Sequence, residues 1–246
     1  AGDARFVVTP HYHGGSASSF RDRLLSVYRP IGGWALRRAD EIIAVSDWER
    51  EQLCDDFGID ATVIPNGVDI ERFRRAEPRE QERPYLLTVG RLEEYKGVQH
   101  VIRALTELPE YDLLVAGSGP YRDELEHIAR QKDVNERVEF LGYVDDDDLP
   151  GLYAGAEFFV TMSSFEAYGM TVAEALAAGT PSVVREKAAL ADWTERSDCI
   201  GIDSTNSASI GEAVTNAIEQ DMCPKSFLTW DDVVDATVET YSNDYT

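Results

Sequence analysis

The chain has 246 residues, of which 43% are hydrophobic and 10% aromatic, so it can bury one large core or two modest ones. Its 46 acidic and 23 basic residues give a net charge of −23. This charge argues against a nucleic-acid partner, because such binding requires Lys and Arg to neutralise phosphates. No apolar run reaches the ~20 residues that span a bilayer and no secretory leader is evident, so we expect a cytoplasmic protein without a transmembrane segment.

The acidic composition also bears on the cellular environment. Concentrated salt shortens the range of charge repulsion to ~3 Å at molar ionic strength, so a very acidic surface is tolerated in a saline cytoplasm. The composition therefore predicts a halophilic protein, with an acidic protein of an ordinary cytoplasm as the alternative. Cys54, Cys199 and Cys223 are widely spaced and form no C-x-x-C pair, which predicts neither a disulfide framework nor a zinc site.

Short apolar, β-branched runs alternate with helix-period stretches along the chain, a pattern typical of parallel α/β sheets covered by helices. The predicted strands are Arg5–Thr9, Glu41–Val45, Thr62–Ile64, Tyr85–Val89, Asp112–Ala116, Val138–Leu141, Glu157–Met162, Ser182–Val184 and Cys199–Ile202, and helices are predicted at Ser207–Gln220 and Trp230–Tyr241. Residues 71–84 are rich in Arg, Glu and Pro and are predicted to be a linker. It separates a partial N-terminal domain, 1–70, from a complete C-terminal domain, 85–246.

The stretch SSFEAYGMTVAEALAAGTP at 163–181 follows a predicted strand. A helix is predicted to begin near Gly169 and to stop at Gly179, because Gly just after a helix and Pro beyond it are stop signals. Ligands of such strand–loop–helix units lie at the carboxyl ends of the strands, and a helix N-terminus attracts anions such as a diphosphate. Glu174 lies among alanines on this helix, where an ionised carboxylate needs donors such as sugar or ribose hydroxyls.

This stretch resembles the E-x7-E signature of retaining glycosyltransferases of the family 4 and glycogen-synthase-like type, the group 1 glycosyl transferases, with Glu166 and Glu174 at the two glutamate positions. The resemblance implies a GT-B fold of two Rossmann-like, doubly wound parallel sheets. It also implies that Glu174 binds the ribose of a nucleotide and that Glu166 approaches the donor sugar. Backbone N–H groups around Tyr168, Gly169 and Met170 would then contact the sugar and phosphate. The alternative is a solvated pair of glutamates.

A second Gly-flanked loop, GRLEEYKG at 90–97, also follows a predicted strand. Its arginine and lysine suit a diphosphate, because both can pair with phosphate oxygens. The loop is similar to the G-R-x4-K-G element of the same family. The resemblance implies that Arg91 and Lys96 neutralise the donor pyrophosphate and the leaving nucleoside diphosphate, with Gly90 also at the donor site. Surface cations that cap a helix are the alternative.

The turn GSGP at 117–120 follows the next strand. It is a poor dinucleotide fingerprint, because Arg122 occupies the position of the third glycine. The turn resembles instead the G-x-G-P element of the glycosyltransferase family, which implies that Gly119 lies at the donor site.

The segment LGYV at 141–144 resembles the family loop whose backbone lines the nucleobase, which implies that Tyr143 and Val144 border the base. A plain strand-to-turn connection is the alternative. The acidic run Asp145–Asp148 that follows is expected to solvate and cap the next helix rather than to bind a metal.

In the predicted N-terminal domain, TPHYHGG at 9–15 includes the end of a strand. By position, His11 resembles the family's cleft histidine near the donor sugar. His13 is the competing candidate, and either residue could be an ordinary loop histidine. The family's glycine-rich loop near the N-terminus has no counterpart, so we expect the acceptor-side domain to be partial.

Together these motifs predict retaining transfer of a hexose from a nucleoside-diphosphate sugar to a hydroxyl of a carbohydrate or lipid-linked acceptor. A lipid-linked acceptor allows peripheral contact with a membrane. The resemblance implies neither a metal nor a further cofactor, and no convincing D-x-D motif follows a strand. Two alternatives stay open: a non-catalytic or truncated nucleotide-sugar-binding module, and a sugar-nucleotide epimerase on the same scaffold.

Overall fold

The computed structural model describes residues 5–12, 29–218 and 227–242, which form two compact units. The first unit contains the described residues up to Val68, together with Phe165–Tyr168 and the described residues from Leu228 onward. The second unit contains Asp69–Ser164 and the described part of Gly169–Phe227. This division differs from the predicted boundaries, because the linker clusters with the second unit and two later segments cluster with the first.

The first unit is built on three parallel strands in the order β1-β2-β3. They are β1 (Val7–Val8), β2 (Glu41–Ala44) and β3 (Thr62–Val63), all within strands predicted from the sequence. Residues 29–36 are helical (α1), α2 spans Asp47–Phe57, and α10 spans Trp230–Ser242. The core of this unit consists of the buried side chains of Ile42, Ala44, Leu53, Ile59 and Ala61.

The second unit contains a six-stranded, fully parallel sheet in the order β6-β5-β4-β7-β8-β9. Its strands are β4 (Tyr85–Val89), β5 (Asp112–Ala116), β6 (Val138–Gly142), β7 (Phe158–Thr161), β8 (Ser182–Arg185) and β9 (Cys199–Ile202). Its helices are α3 (Ile70–Arg74), α4 (Val98–Ala104), α5 (Arg122–Gln131), α6 (Leu149–Gly155), α7 (Met170–Ala177), α8 (Leu190–Trp193) and α9 (Ser207–Ile218), with 3-10 turns at Glu94–Lys96 and Asn135–Arg137. The central strands are mostly apolar and buried, as expected where helices cover both faces of a parallel sheet. Helix α3 occupies the start of the predicted linker, which is therefore partly helical.

The order of strands in the second sheet reverses between β4 and β7. These two strands are adjacent and parallel, with Leu86 opposite Phe158 and Leu87 opposite Phe159, although β5 and β6 lie between them in the chain. In open α/β sheets, ligands bind outside the carboxyl ends of the strands at such a switch point. We call the side of the sheet where β4, β7 and β8 end the carboxyl edge.

No helix in the three described segments is long and apolar enough to cross a membrane. Cys54 and Cys199 are free thiols, and Cys223 lies outside the described residues.

Candidate functional site

The loop 90–97 after β4 packs closely on the loop after β7. Gly97 has a φ of +75°, and a Cβ atom there would overlap the carbonyl group of Met162. Only glycine satisfies both requirements without strain. The backbone N–H of Ser164 donates to the carbonyl of Tyr95 at 2.8 Å. The two loops that follow the strands of the switch point are therefore in direct contact at the carboxyl edge.

Both predicted cations of this loop lie at the carboxyl edge. Arg91 Nη2 lies 2.9 Å from Glu93 Oε1, and the Arg91 side chain is 74% exposed. An exposed ion pair of this kind contributes little to stability, so a phosphate could replace the carboxylate at small cost. Lys96 is half-buried, with Nζ 5.4 Å from the centroid of the Tyr95 ring. Arg91 is thus the accessible cation of the pair and Lys96 the more enclosed one.

Gly90 and Gly119 lie where the loops after β4 and β5 approach each other. The Gly90 N–H donates to the Ala116 carbonyl, and the Leu92 N–H donates to the Ser118 carbonyl, both at 2.9 Å. A Cβ atom on Gly119 would overlap the backbone of Leu92. Close backbone packing is sufficient to explain why glycine occupies position 119. Contact of these glycines with a donor stays a prediction.

Glu174 is a half-buried carboxylate with a defined partner in the protein. The hydroxyl of Tyr153, which is fully buried, donates to Glu174 Oε2 at 2.8 Å. Burial raises the pKa of Glu174, and the charge of Asp146 adds to this rise, whereas the Tyr153 hydrogen bond and the charge of Arg72 oppose it. Burial likewise raises the pKa of Tyr153 well above its ordinary value, so the phenol keeps its proton and donates it. Glu174 Oε1 accepts no hydrogen bond from the described residues and is not a buried atom, so it can accept one from a ligand.

A cavity of about 580 Å³ lies in the second unit, and Glu174 is not among its lining residues. Its wall includes Leu152, the neighbour of Tyr153, and Asp147, whose carboxylate lies 3.8 Å from the guanidinium of Arg72. The positive charge of Arg72 also lowers the pKa of Glu174. The cavity is lined by Ala76, Glu77, Arg79, Leu141, Tyr143, Val144, Asp145, Asp147, Asp148, Gly151 and Leu152. Its volume falls within the ~300–1,000 Å³ typical of small-molecule sites.

Tyr143 and Val144 both line this cavity, at the end of β6. Tyr143 is 75% exposed, an uncommon degree for a large aromatic side chain. An exposed ring beside a cavity of this size can stack on a planar ligand. Both predicted residues therefore line the cavity, and their contact with a nucleobase stays a prediction.

Helix α7 begins and ends as the sequence predicts. Gly169 is its N-cap, with a left-handed φ of +95°, and Met170 is its first residue. Gly179 has a φ of +87°, and its N–H donates to the Leu176 carbonyl at 3.1 Å, which closes the helix. The first backbone N–H groups of any helix lack intrahelical partners. Gly169 and Met170 therefore lie where such groups collect at the carboxyl edge.

Three predicted residues lie in the first unit. His11 follows β1, is exposed and has a φ of +48°, a left-handed conformation that is uncommon for residues other than glycine. Glu166 is half-buried in the segment that clusters with this unit. The hydroxyl of Tyr168 donates to the Asn66 carbonyl at 3.1 Å. The competing histidine, His13, lies outside the described residues.

Glu49, which belongs to none of the predicted site motifs, organises the backbone around His11. Glu49 is fully buried, and its two carboxylate oxygens accept the backbone N–H groups of Val45 and Tyr12, the former at 2.8 Å. It therefore ties the loop after β1 to the end of β2. The sequence contained a signal for this residue, because Ser46-x-x-Glu49 has the spacing of a capping box and the Ser46 hydroxyl accepts the Glu49 N–H at 3.0 Å.

The predicted capping role of the acidic run Asp145–Asp148 is wrong. Asp148 occupies the N-cap position of α6, but its side chain makes no capping hydrogen bond. The turn is closed by the backbone instead, with the Leu149 N–H donating to the Asp145 carbonyl at 3.2 Å. The run contributes to the cavity wall and supplies the carboxylate that pairs with Arg72.

Comparison with known families agrees with these observations. Residues 69–227 match the model of the family described as glycosyl transferases group 1, and residues 1–72 match that of glycosyltransferase family 4. The first match covers more than half of the chain. The chain belongs to the group 1 glycosyl transferases, which confirms the family predicted from the sequence.

One relative is an uncharacterised glycosyltransferase of Methanocaldococcus jannaschii, 32% identical over 233 residues that cover 82% of this chain. The matched region is 59% of that protein, so the chain spans well under two thirds of its length. Among solved structures, sucrose-phosphate synthase of Thermosynechococcus elongatus superposes with a TM-score of 0.84 at 21% identity, over 97% of this chain and 67% of that one. HepE of Anabaena in complex with UDP and glucose gives a TM-score of 0.82 at 20% identity, over 97% of this chain and 72% of that one. These likenesses confirm an α/β fold of the GT-B type with parallel sheets.

Proposed function

We propose that this chain binds a nucleoside-diphosphate sugar at the carboxyl edge of the second unit and serves in transfer of the hexose to an acceptor hydroxyl, with retention of configuration. The observation that best supports the proposal is the half-buried carboxylate of Glu174. It accepts the hydroxyl of Tyr153, whose neighbour Leu152 lines the cavity, and Arg91 and Lys96 lie in the loop after β4 of the same unit.

Each part of the donor has a chemically suitable counterpart. The ionised carboxylate of Glu174 accepts hydrogen bonds from a ribose diol, because its Oε1 is open. The base occupies the cavity next to Tyr143 and Val144. The diphosphate lies against Arg91 and Lys96, which stabilise the negative charge that develops on the leaving nucleoside diphosphate.

The comparisons support this choice of substrate class. HepE, which shares the fold, was solved with UDP and glucose, and sucrose-phosphate synthase is named for the sugar phosphate that it makes. Retention and the hexose rest on the E-x7-E resemblance of Glu166 and Glu174. The acceptor, a carbohydrate or a lipid-linked sugar, and the roles of His11 and Glu166 beside the donor sugar belong to the same proposal.

A donor-binding module without turnover is the second candidate. The chain spans 59% of its relative from Methanocaldococcus jannaschii, so donor binding and transfer are separate proposals. Turnover by this chain alone would exclude the second candidate. Donor binding without turnover would support it.

Calorimetric titration with UDP, GDP and ADP tests donor binding directly. We expect one of the three to bind clearly more tightly than the others, and the absence of any binding would contradict the proposal. The matching sugar donors are then incubated with and without candidate acceptors, and NMR of the product reads the anomeric configuration. Inversion would contradict retention, and an isomerised donor formed without acceptor would indicate an epimerase instead.

A further inference from the structure

Arg185, the last residue of β8, reaches the loop that follows β7. Its Nη1 atom donates to the hydroxyl of Ser164 at 2.7 Å, and its side chain is half-buried. The N–H of the same serine donates to the carbonyl of Tyr95, the residue that precedes Lys96. Ser164 therefore links Arg185 to the loop that contains one of the proposed diphosphate-binding cations.

Arg185 forms no salt bridge with any carboxylate in the described part of the chain, although acidic residues outnumber basic ones twofold. Other arginines of the same unit are paired within 3 Å: Arg91 with Glu93 at 2.9 Å and Arg196 with Asp198 at 2.8 Å. A guanidinium has five N–H donors. One donor of Arg185 bonds to Ser164. Its other N–H donors bond to no described residue and are not among the buried atoms without a partner, so they are open to solvent at the carboxyl edge.

The charge of Arg185 acts on the imidazole of His100, together with that of Arg103. Burial lowers the pKa of the neighbouring His100, the positive charges of Arg103 and Arg185 lower it further, and a hydrogen bond with the Thr205 backbone opposes them. Two positive charges thus act on the same imidazole, and cations gathered in this way in a molecule with a net charge of −23 favour an anion.

We propose that Arg185 is a third cation of the diphosphate site and binds the donor diphosphate together with Arg91 and Lys96. This inference rests on the proposed function, which it extends to a residue outside the family motifs. A guanidinium can form two parallel hydrogen bonds to one phosphate. The bond to Ser164 orients the side chain before the ligand arrives, so less side-chain entropy is lost on binding.

The test compares four proteins: wild type, Arg185→Gln, Ser164→Ala and Arg130→Gln. Arg130 is a matched control, because it is an exposed arginine of α5 whose replacement makes the same change in net charge. Each protein is titrated calorimetrically with UDP, GDP and ADP. Ligand-observed NMR measures the binding of the corresponding uncharged nucleosides. Wild type must first bind one of the diphosphates. If wild type binds none of them, the proposed function is refuted. If wild type binds one, the variants test the role of Arg185.

We expect Arg185→Gln to weaken nucleoside-diphosphate binding about tenfold or more, as for one lost charge-assisted hydrogen bond, and to leave nucleoside binding within about twofold. Arg130→Gln should leave both unchanged. Ser164→Ala should lower the affinity for the diphosphate less than Arg185→Gln does, because the guanidinium remains.

Unchanged diphosphate affinity in Arg185→Gln would overturn the inference. The inference would also be overturned if both Arg185→Gln and Ser164→Ala lost nucleoside affinity and diphosphate affinity by equal factors. That result would mean that Arg185 and Ser164 only hold the loops together. If Arg185→Gln does not fold, Arg185→Lys takes its place. It keeps the charge without the planar fork, and diphosphate affinity equal to that of wild type would then refute bidentate binding.

Discussion

Replacing Glu174 by glutamine separates a ligand-binding carboxylate from a structural one. Glutamine has nearly the same shape, and its single amide oxygen can still accept the hydrogen bond from Tyr153. What it removes is the negative charge and the second acceptor oxygen. Glu174→Gln therefore tests whether the ionised Oε1 binds a ribose hydroxyl.

The expected loss of affinity follows from the number of bonds. A hydrogen bond to a charged group contributes ~1.5–3 kcal/mol and a neutral one ~0.5–1.5 kcal/mol. Since one or two ribose hydroxyls can reach this carboxylate, we expect Glu174→Gln to weaken nucleoside-diphosphate binding by about 1–3 kcal/mol, or roughly 5–150-fold.

The effect on stability should have the opposite sign. The pKa of Glu174 is raised from its ordinary 4.5 even with Tyr153 and Arg72 favouring the charged form, so the folded environment as a whole disfavours the carboxylate. The folded protein thus holds this proton more tightly than the unfolded chain. The Glu174 contribution to the free energy of unfolding therefore decreases as the pH rises from about 4.5 through the raised pKa, and it is constant above that window. At pH ~7 a neutral glutamine should leave the melting temperature unchanged or higher.

Calorimetry and thermal unfolding of the two proteins, at several pH values, measure both effects. As the pH falls toward 4.5, wild type should lose nucleoside-diphosphate affinity because Glu174 takes up a proton, and Glu174→Gln should lack that part of the dependence. The phosphate titrates in both proteins, so the difference between their profiles isolates the carboxylate. A lower melting temperature with unchanged affinity at pH ~7 would refute the assignment and mark Glu174 as structural.

Three further outcomes are expected. Lys96→Ala should weaken nucleoside-diphosphate binding by about 1–3 kcal/mol in calorimetry, and unchanged affinity would remove Lys96 from the site. Gly97→Ala should lower the free energy of unfolding by about 1–3 kcal/mol in urea, because a side chain at φ +75° is strained and would meet Met162; Gly32→Ala, with open space around its Cβ, serves as the control. We propose that the protein is halophilic, so its melting temperature should rise as KCl increases from about 0.1 to 2 M, and full stability in dilute buffer would contradict that proposal.

The sequence predicts the strands of both sheets well, because buried parallel strands are continuous apolar runs whose ends are marked by turn residues. It also predicts both ends of α7, since Gly169 and Gly179 adopt left-handed conformations that favour glycine. The pairing of Glu174 with Tyr153 was not predictable. These residues are 21 positions apart, and they meet only because α6 packs on α7, which no local pattern reports.

Tertiary packing, which no local pattern reports, also explains why the roles of Arg185 and Glu49 were not predicted. Arg185 stands in no motif, and its importance depends on β8 lying beside β7, a neighbour relation set by the sheet order. Glu49 had a local signal, the capping-box spacing with Ser46, but its contact with the Tyr12 backbone is a tertiary one. The segment Phe165–Tyr168 directly precedes Gly169 and α7 in sequence, yet its spatial contacts place it in the first unit, and chain order does not report such contacts.

The net negative charge of the chain determines how it can bind an anionic ligand. A nucleoside diphosphate is an anion, and a molecule with a net charge of −23 repels it at long range unless salt screens the repulsion, which at 0.15 M occurs over ~8 Å. Binding must then come from contacts shorter than that length. Glu93 neutralises part of the charge of Arg91, but an arriving phosphate can compete with this carboxylate for the guanidinium. Arg185, bonded to a neutral serine, keeps its full charge. An acidic chain that binds an anion therefore gains most from a cation without a carboxylate partner, and Arg185 has none in the described part of the chain.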